Sequence, residues 1–165
     1  MQVKEKLNQA LNRQINRELY SAYLYLSMSS WFEAVNLKGF SQWMRVQAKE
    51  EVGHAMKIYD FVVKRGGRVI LSQIESPPSS WNSPLSAFED VYEHEKKVTQ
   101  MIHELLSLAR AENDPATEVF LHWFVEEQVE EEDSASFIVA QLKAAKDAPG
   151  ALFMLDKKLA ERKSS

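Results

Sequence analysis

The chain has 165 residues, 45% of them hydrophobic, a net charge of −4 and no cysteine, which suits one globular domain spanning 1–165 and excludes disulfides, thiolate metal sites and iron–sulfur centres. No basic stripe is present, so nucleic acid is not expected as the main partner. Met1-Gln2-Val3-Lys4 leads straight into an amphipathic pattern without an apolar signal region, and no run approaches the roughly 18 apolar residues of a membrane span, so a cytoplasmic setting without membrane contact is expected.

Helical periodicity predicts a first helix from about Lys4 to Ala34. Its middle, around Tyr23-Leu24-Tyr25-Leu26, is apolar on more than one face, as in a bundle packed inside a larger assembly. Asn36 is the expected N-cap of a second helix running from about Leu37 to Arg65 and stopping at Gly66-Gly67. About 17 residues without helical period follow. A 28-residue helix is about 42 Å long and 17 extended residues reach about 56 Å, so this segment can return along the bundle and start the third helix parallel to the second. An exposed flexible loop is the alternative. Ser83-Pro84 has cap and first-turn chemistry for a third helix ending near Ala111, and Asp114-Pro115 has it for a fourth ending near Ala145. A short fifth helix is readable over about 151–162, with Leu152, Leu155 and Leu159 on one side; it either caps its own bundle or contacts a neighbour. The fold class is all-α: a four-helix bundle over about 4–145, with one long crossover between the second and third helices.

Acidic residues interrupt the core stripes. Following the i+3/i+4 track, Phe40, Met44, Gln47, Glu51, His54, Ile58 and Phe61 form an apolar stripe with a polar centre. The same interruption recurs at Glu18, at Glu95, and at Gln128 with Glu131. Glu is almost never fully buried without a partner, so four such positions require a common cause. Glu18 to Glu51 is 33 residues and Glu51 to His54 is 3; Glu95 to Gln128 is again 33 and Gln128 to Glu131 again 3. Two copies of one helical hairpin, each turning near the midpoint of its pair, bring these groups to one cross-section. Four carboxylates there match the charge of two divalent cations, and oxygen ligands with one imidazole suit iron or manganese.

With these motifs in view, the chain resembles the non-haem ferritins of bacteria and archaea over essentially its whole length. The similarity rests on Leu11-Asn-Arg-Gln-Ile-Asn-Arg-Glu18, Leu37-Lys-Gly-Phe-Ser-Gln-Trp-Met44, Glu50-Glu-Val-Gly-His54, Arg65-Gly-Gly-Arg68, His94-Glu95 and Phe124-Val-Glu-Glu-Gln-Val-Glu-Glu-Glu132. The resemblance implies a ferritin-like bundle with a ferroxidase centre. Glu18, Glu51 and His54 would hold one iron, Glu95 and Glu131 the second, with Glu51 bridging and Gln128 close by. It further implies a third, acidic iron site at Glu50, Glu127 and Glu130, oxidation of Fe(II) by oxygen or peroxide, and storage of Fe(III) mineral in a 24-subunit cage with the last helix near its four-fold axes. Because that centre lies within the first four helices, truncation after Pro149 is expected to weaken the shell and spare the centre.

Two departures separate the chain from the bacterioferritin branch of that resemblance. The fourth helix has Gln128-Val129-Glu130-Glu131 without a second His, and Val52 stands where that branch has its haem-ligating Met, so haem is not expected. Tyr25, two turns beyond Glu18, either hydrogen-bonds a metal carboxylate and donates an electron, as the family suggests, or is a plain core tyrosine. Trp123 is read as packing, Trp31, Trp43 and Trp81 as core or subunit anchors, His94, His103 and His122 as surface or interface residues, and Glu126, Glu132 and Asp133 as a solvated face. A small di-iron oxidase or peroxide scavenger without storage keeps the same centre; a metal-free structural bundle does not.

Overall fold

The computed structural model describes residues 2–164, which form five helices and no strand: α1 (Glu5–Ala34), α2 (Lys38–Lys64), α3 (Pro84–Ala111), α4 (Pro115–Ala144) and α5 (Pro149–Leu159). α1 packs on α2, and α3 on α4, as hairpins closed by three-residue connections. Among non-glycine residues, Asn36, Asn113 and Asp147 take positive φ of 63°, 55° and 63° just past the ends of α1, α3 and α4. Asn and Asp tolerate this left-handed conformation better than other residues with a Cβ. Gly66, at φ 73°, ends α2 as its sequence predicts.

Ser83 and Asp114 are the caps expected, accepting the backbone N–H groups of Ser86 and Thr117 at 3.0 Å each. Asp114 also receives both arms of Arg65, at 3.1 and 3.0 Å, tying the end of α2 to the start of α4. Asn36 does not cap α2. Its left-handed backbone closes α1, and Leu37 precedes α2 with no side-chain cap.

The crossover is fastened to α1 rather than loose. Asn12 donates to the Arg68 carbonyl at 3.0 Å and accepts from Ile70 N–H at 2.6 Å; Asn16 donates to the carbonyls of Ser72 and Gln73, at 3.2 and 3.1 Å. Farther along, Ser27 donates to the Pro78 carbonyl. Residue numbers rise together on both partners, so the segment runs the same way as α1. It delivers α3 parallel to α2, as the length arithmetic requires.

Two apolar clusters fill the bundle, one at each end. The first is built around Met28, Phe32, Phe40, Met44, Phe88 and Ile138, and the second around Leu7, Leu11, Ile58, Ile102, Leu121 and Phe124. Each such side chain contributes about 1.5–3 kcal/mol by leaving water. Between the two lies a layer of Glu18, Glu51, His54, Glu95, Gln128 and Glu131, each no more than 7% exposed.

α5 packs on its own bundle. Leu152, Leu155 and Leu159 pack against the first cluster, so α5 caps its own bundle, while Phe153 and Met154 stay exposed. The helix covers 149–159, ending before Arg162. Asp156 Oδ1 accepts the Phe40 N–H at 2.9 Å, taking in trans the role an N-cap side chain plays for the third residue of α2. Gly39 makes the approach possible, because a Cβ there would meet the Asp156 carbonyl oxygen at 1.6 Å. Intrinsic helix propensity favours Ala over Gly by about 1 kcal/mol, but that close approach outweighs it. Gly39→Ala is therefore expected to lower the melting temperature and to raise hydrogen exchange across 149–159; a stabilised variant with unchanged exchange would show that α5 is not held there.

Candidate metal centre

Each long helix of the bundle sends at least one carboxylate into the middle layer. α1 supplies Glu18, α2 supplies Glu51 and His54, α3 supplies Glu95, and α4 supplies Gln128 and Glu131. Three groups place ligand atoms within 4.8 Å of one another: Glu18, Glu51 and His54; Glu51, Glu95 and Glu131; and His54, Glu127 and Glu131. Glu51 belongs to the first two. The 33-residue spacing thus brings its pairs together: Glu18 shares a cluster with Glu51, and Gln128 Nε2 donates to the Glu95 carbonyl and to Glu95 Oε2, both at 3.2 Å.

A ring of amides and hydroxyls orients the carboxylates. Gln14 donates to Glu18 Oε1 at 3.1 Å, and Gln47 donates to Glu51 Oε1 at 2.9 Å and to Glu131 Oε2 at 2.7 Å. The Tyr25 hydroxyl donates to Glu95 Oε1, so Tyr25 is more than a packing residue. His54 Nδ1 lies 3.3 Å from Glu51 Oε2 and 3.8 Å from Glu18 Oε2, while Nε2 faces Glu127 at 3.7 Å. Glu18 Oε2 is buried without a hydrogen-bond partner. A buried carboxylate oxygen left open toward other carboxylates is what a cation would complete.

Without a cation the cluster takes up protons. Burial, joined by the charges of Glu95 and Glu18, holds the Glu51 carboxyl well above the ordinary range; burial likewise lifts Glu95 to about 7 and Glu131 to about 8. Burial also acts to raise Glu18, yet the nearby His54 and Glu51 prevail and keep it below the usual value. For His54, burial favours the neutral ring, but contact with Glu18 prevails and raises it. The arrangement stores a Glu18–His54 ion pair among protonated acids.

The ferritin sequence model, described as a ferritin-like domain, matches residues 8–145. The chain belongs to the ferritin family. A bacterial non-heme ferritin of Bacteroides fragilis is 45% identical over 97% of this chain and 99% of its own length, and one of Staphylococcus epidermidis is 38% identical over 96% and 95%. Among solved structures, an open pore ferritin from the hyperthermophilic archaeon Archaeoglobus fulgidus superposes with a TM-score of 0.97 at 59% identity, covering 98% of this chain and 99% of that one. Ferritins bind and store iron, and the paired carboxylate clusters of this ferritin are compatible with a di-iron site.

Other residues of this ferritin fall differently from their sequence reading. His94 is not an ordinary surface residue: its Nε2 meets Ser21 Oγ at 2.7 Å, its ring packs between Tyr20 and Tyr25, and burial lowers it to about 4. His103 and His122 are exposed as expected. Glu132 is half-buried and accepts from Thr99 at 2.6 Å, so it bridges α4 to α3, whereas Glu126 and Asp133 are solvated. Trp123 packs edge-on to His54 with Lys57 over its ring, 3.6 Å from the centroid. Of the three expected acids outside the layer, Glu127 reaches His54, Glu130 is exposed beside it on α4, and Glu50 lies 2.9 Å from Arg162. Glu50, His54, Trp123 and Glu127 line a surface cleft that meets the layer at His54. Gln14 was missed, although a Gln four residues before the Glu recurs on α2 as Gln47-to-Glu51 and marks the same device.

Proposed function

We propose that this ferritin is a ferroxidase that oxidises Fe(II) in pairs and deposits Fe(III) as mineral inside a 24-subunit shell in the cytoplasm. The observation that carries the reading is the sharing of Glu51 between the Glu18/His54 cluster and the Glu95/Glu131 cluster. One carboxylate within reach of two cation positions is a bridging ligand, and four acids balance two divalent charges. Glu18, Glu51 and His54 hold the first Fe(II); Glu95 and Glu131 share Glu51 to hold the second, with Gln128 fixing Glu95. Each Fe(II) gives up one electron. A pair therefore reduces oxygen, with two protons, to hydrogen peroxide, or peroxide, with two protons, to two waters. Tyr25, already hydrogen-bonded to Glu95, is placed to supply a further electron.

Glu50, Glu127 and Glu130 form a third iron site on the way out, and Arg162 must release Glu50 for iron to use it. Haem has no part in this reading, since Val52 offers no axial ligand. Anaerobic titration with Fe(II), followed by oxygen, tests the whole. We expect two irons per chain to oxidise in a fast phase and many more to follow as mineral in a particle of cage mass. Two irons with no mineral would leave a di-iron oxidase or peroxide scavenger. No iron at all would leave a structural bundle.

A further inference from the structure

Arg162 stands beyond the end of α5, yet its guanidinium reaches back to three successive turns of α2. Nη1 donates to the Trp43 carbonyl at 3.3 Å, and Nη2 donates to Gln47 Oε1 and Glu50 Oε2, each at 2.9 Å. Its carbon lies 4.3 Å from the centre of the Trp43 ring. The backbone turn at 160–162 is closed by Arg162 N–H to the Leu159 carbonyl at 3.2 Å, and Asp156 anchors α5 one turn earlier. The side chain is only 22% exposed.

A guanidinium has donors and no acceptor. Whichever Gln47 atom faces Arg162 must therefore be the amide oxygen, which leaves the amide nitrogen facing Glu51 and Glu131. Carboxylates that hold a metal are ionised and only accept. Rotating the Gln47 amide by half a turn would set an oxygen against both of them and a nitrogen against the guanidinium. We propose that Arg162 is a positioning residue of the second metal pocket: it locks the Gln47 amide so that Glu51 and Glu131 are held in their metal-bearing orientation. The inference rests on the di-iron reading above and corrects the expectation that the chain beyond Pro149 leaves the centre untouched.

The test uses the assembled protein and Co(II), whose visible absorbance reports ligand geometry and which does not turn over with oxygen as Fe(II) does. Wild type is expected to take two Co(II) per chain. Arg162→Ala is expected to weaken one of the two by about 10- to 100-fold and to alter that ion's band, leaving the other ion, the particle mass and the melting temperature near wild type. Arg162→Met keeps an unbranched stem against the Trp43 ring but has no donor to fix the Gln47 amide. It is expected to behave as Arg162→Ala does, and it decides the matter should the alanine variant fail to assemble. Wild-type affinity and spectrum in either variant overturn the role of Arg162 while leaving the di-iron centre standing. Failure of wild type to take two Co(II) overturns the centre and the inference with it.

Discussion

Glu51→Ala is expected to lower the initial rate of Fe(II) oxidation by at least about 100-fold while the protein still folds and assembles. Glu51 offers ligand atoms to both the Glu18/His54 and the Glu95/Glu131 clusters, whereas Glu18 and Glu95 each belong to one. Its loss opens both pockets and removes the group that sets the spacing between them. His54→Ala and Glu18→Ala also abolish the fast phase, but each leaves the Glu51/Glu95/Glu131 pocket able to hold one ion. The three variants therefore differ in stoichiometry: Glu51→Ala binds little Fe(II), the other two about one per chain. Folding moves the other way. Two carboxylates about 5 Å apart repel by roughly 3 kcal/mol at an effective dielectric near 20, and proton uptake relieves only part of this. The metal-free Glu51→Ala protein should melt at or above the wild-type temperature. Stopped-flow absorbance and thermal melts read both effects, and a wild-type fast phase in Glu51→Ala would place the chemistry elsewhere.

What could be read from the sequence follows a physical division. Periodicity carries which face a residue occupies, and equal spacing in two hairpins carries which residues share a height; Glu18, Glu51, His54, Glu95, Gln128 and Glu131 needed nothing more. Local chemistry likewise marked Ser83, Asp114 and Gly66, because a cap or a left-handed residue acts within one turn. Contacts between distant segments left no such trace. Asp156 caps α2 from 116 positions away, so Asn36, the nearest residue with cap chemistry, drew an assignment its backbone does not fill. Asn8, Asn12 and Asn16 of α1 donate to crossover carbonyls more than 50 positions away, a role that no local pattern marks. Ser21 with His94, Thr99 with Glu132 and Arg162 with Gln47 are of the same kind. Each joins segments whose approach is set by packing rather than by spacing.

The metal-free protein is expected to lose thermal stability as pH rises from about 5.5 to about 7.5, and Fe(II) bound under argon is expected to abolish that loss. In the unfolded chain Glu95 and Glu131 titrate near the ordinary 4.5, but in the fold burial lifts them to about 7 and about 8. Between those values the folded state keeps protons that the unfolded state has released. Their contribution is complete below 4.5 and disappears as pH climbs through about 7 and about 8. His54, raised by Glu18, adds to the same trend, since its proton too is held more tightly in the fold. Glu18 is lowered and titrates below this window, whereas buried His94, lowered to about 4, opposes the trend until pH passes its unfolded value of 6.5. With Glu51, Glu95, Glu131 and His54 raised against a lowered His94, the slope is on the order of 1–3 kcal/mol per pH unit near neutrality. Divalent iron replaces the protons as the balancing charge, so loading releases protons into solution and the stabilisation it gives grows with pH. Calorimetric melts with and without Fe(II) at each pH measure the gap directly, and Glu95→Gln and Glu131→Gln should each flatten the metal-free slope. A metal-free melting temperature that is level or rising across this range would mean that the buried acids are ionised without a cation, and that the cluster's charge is balanced by groups other than iron.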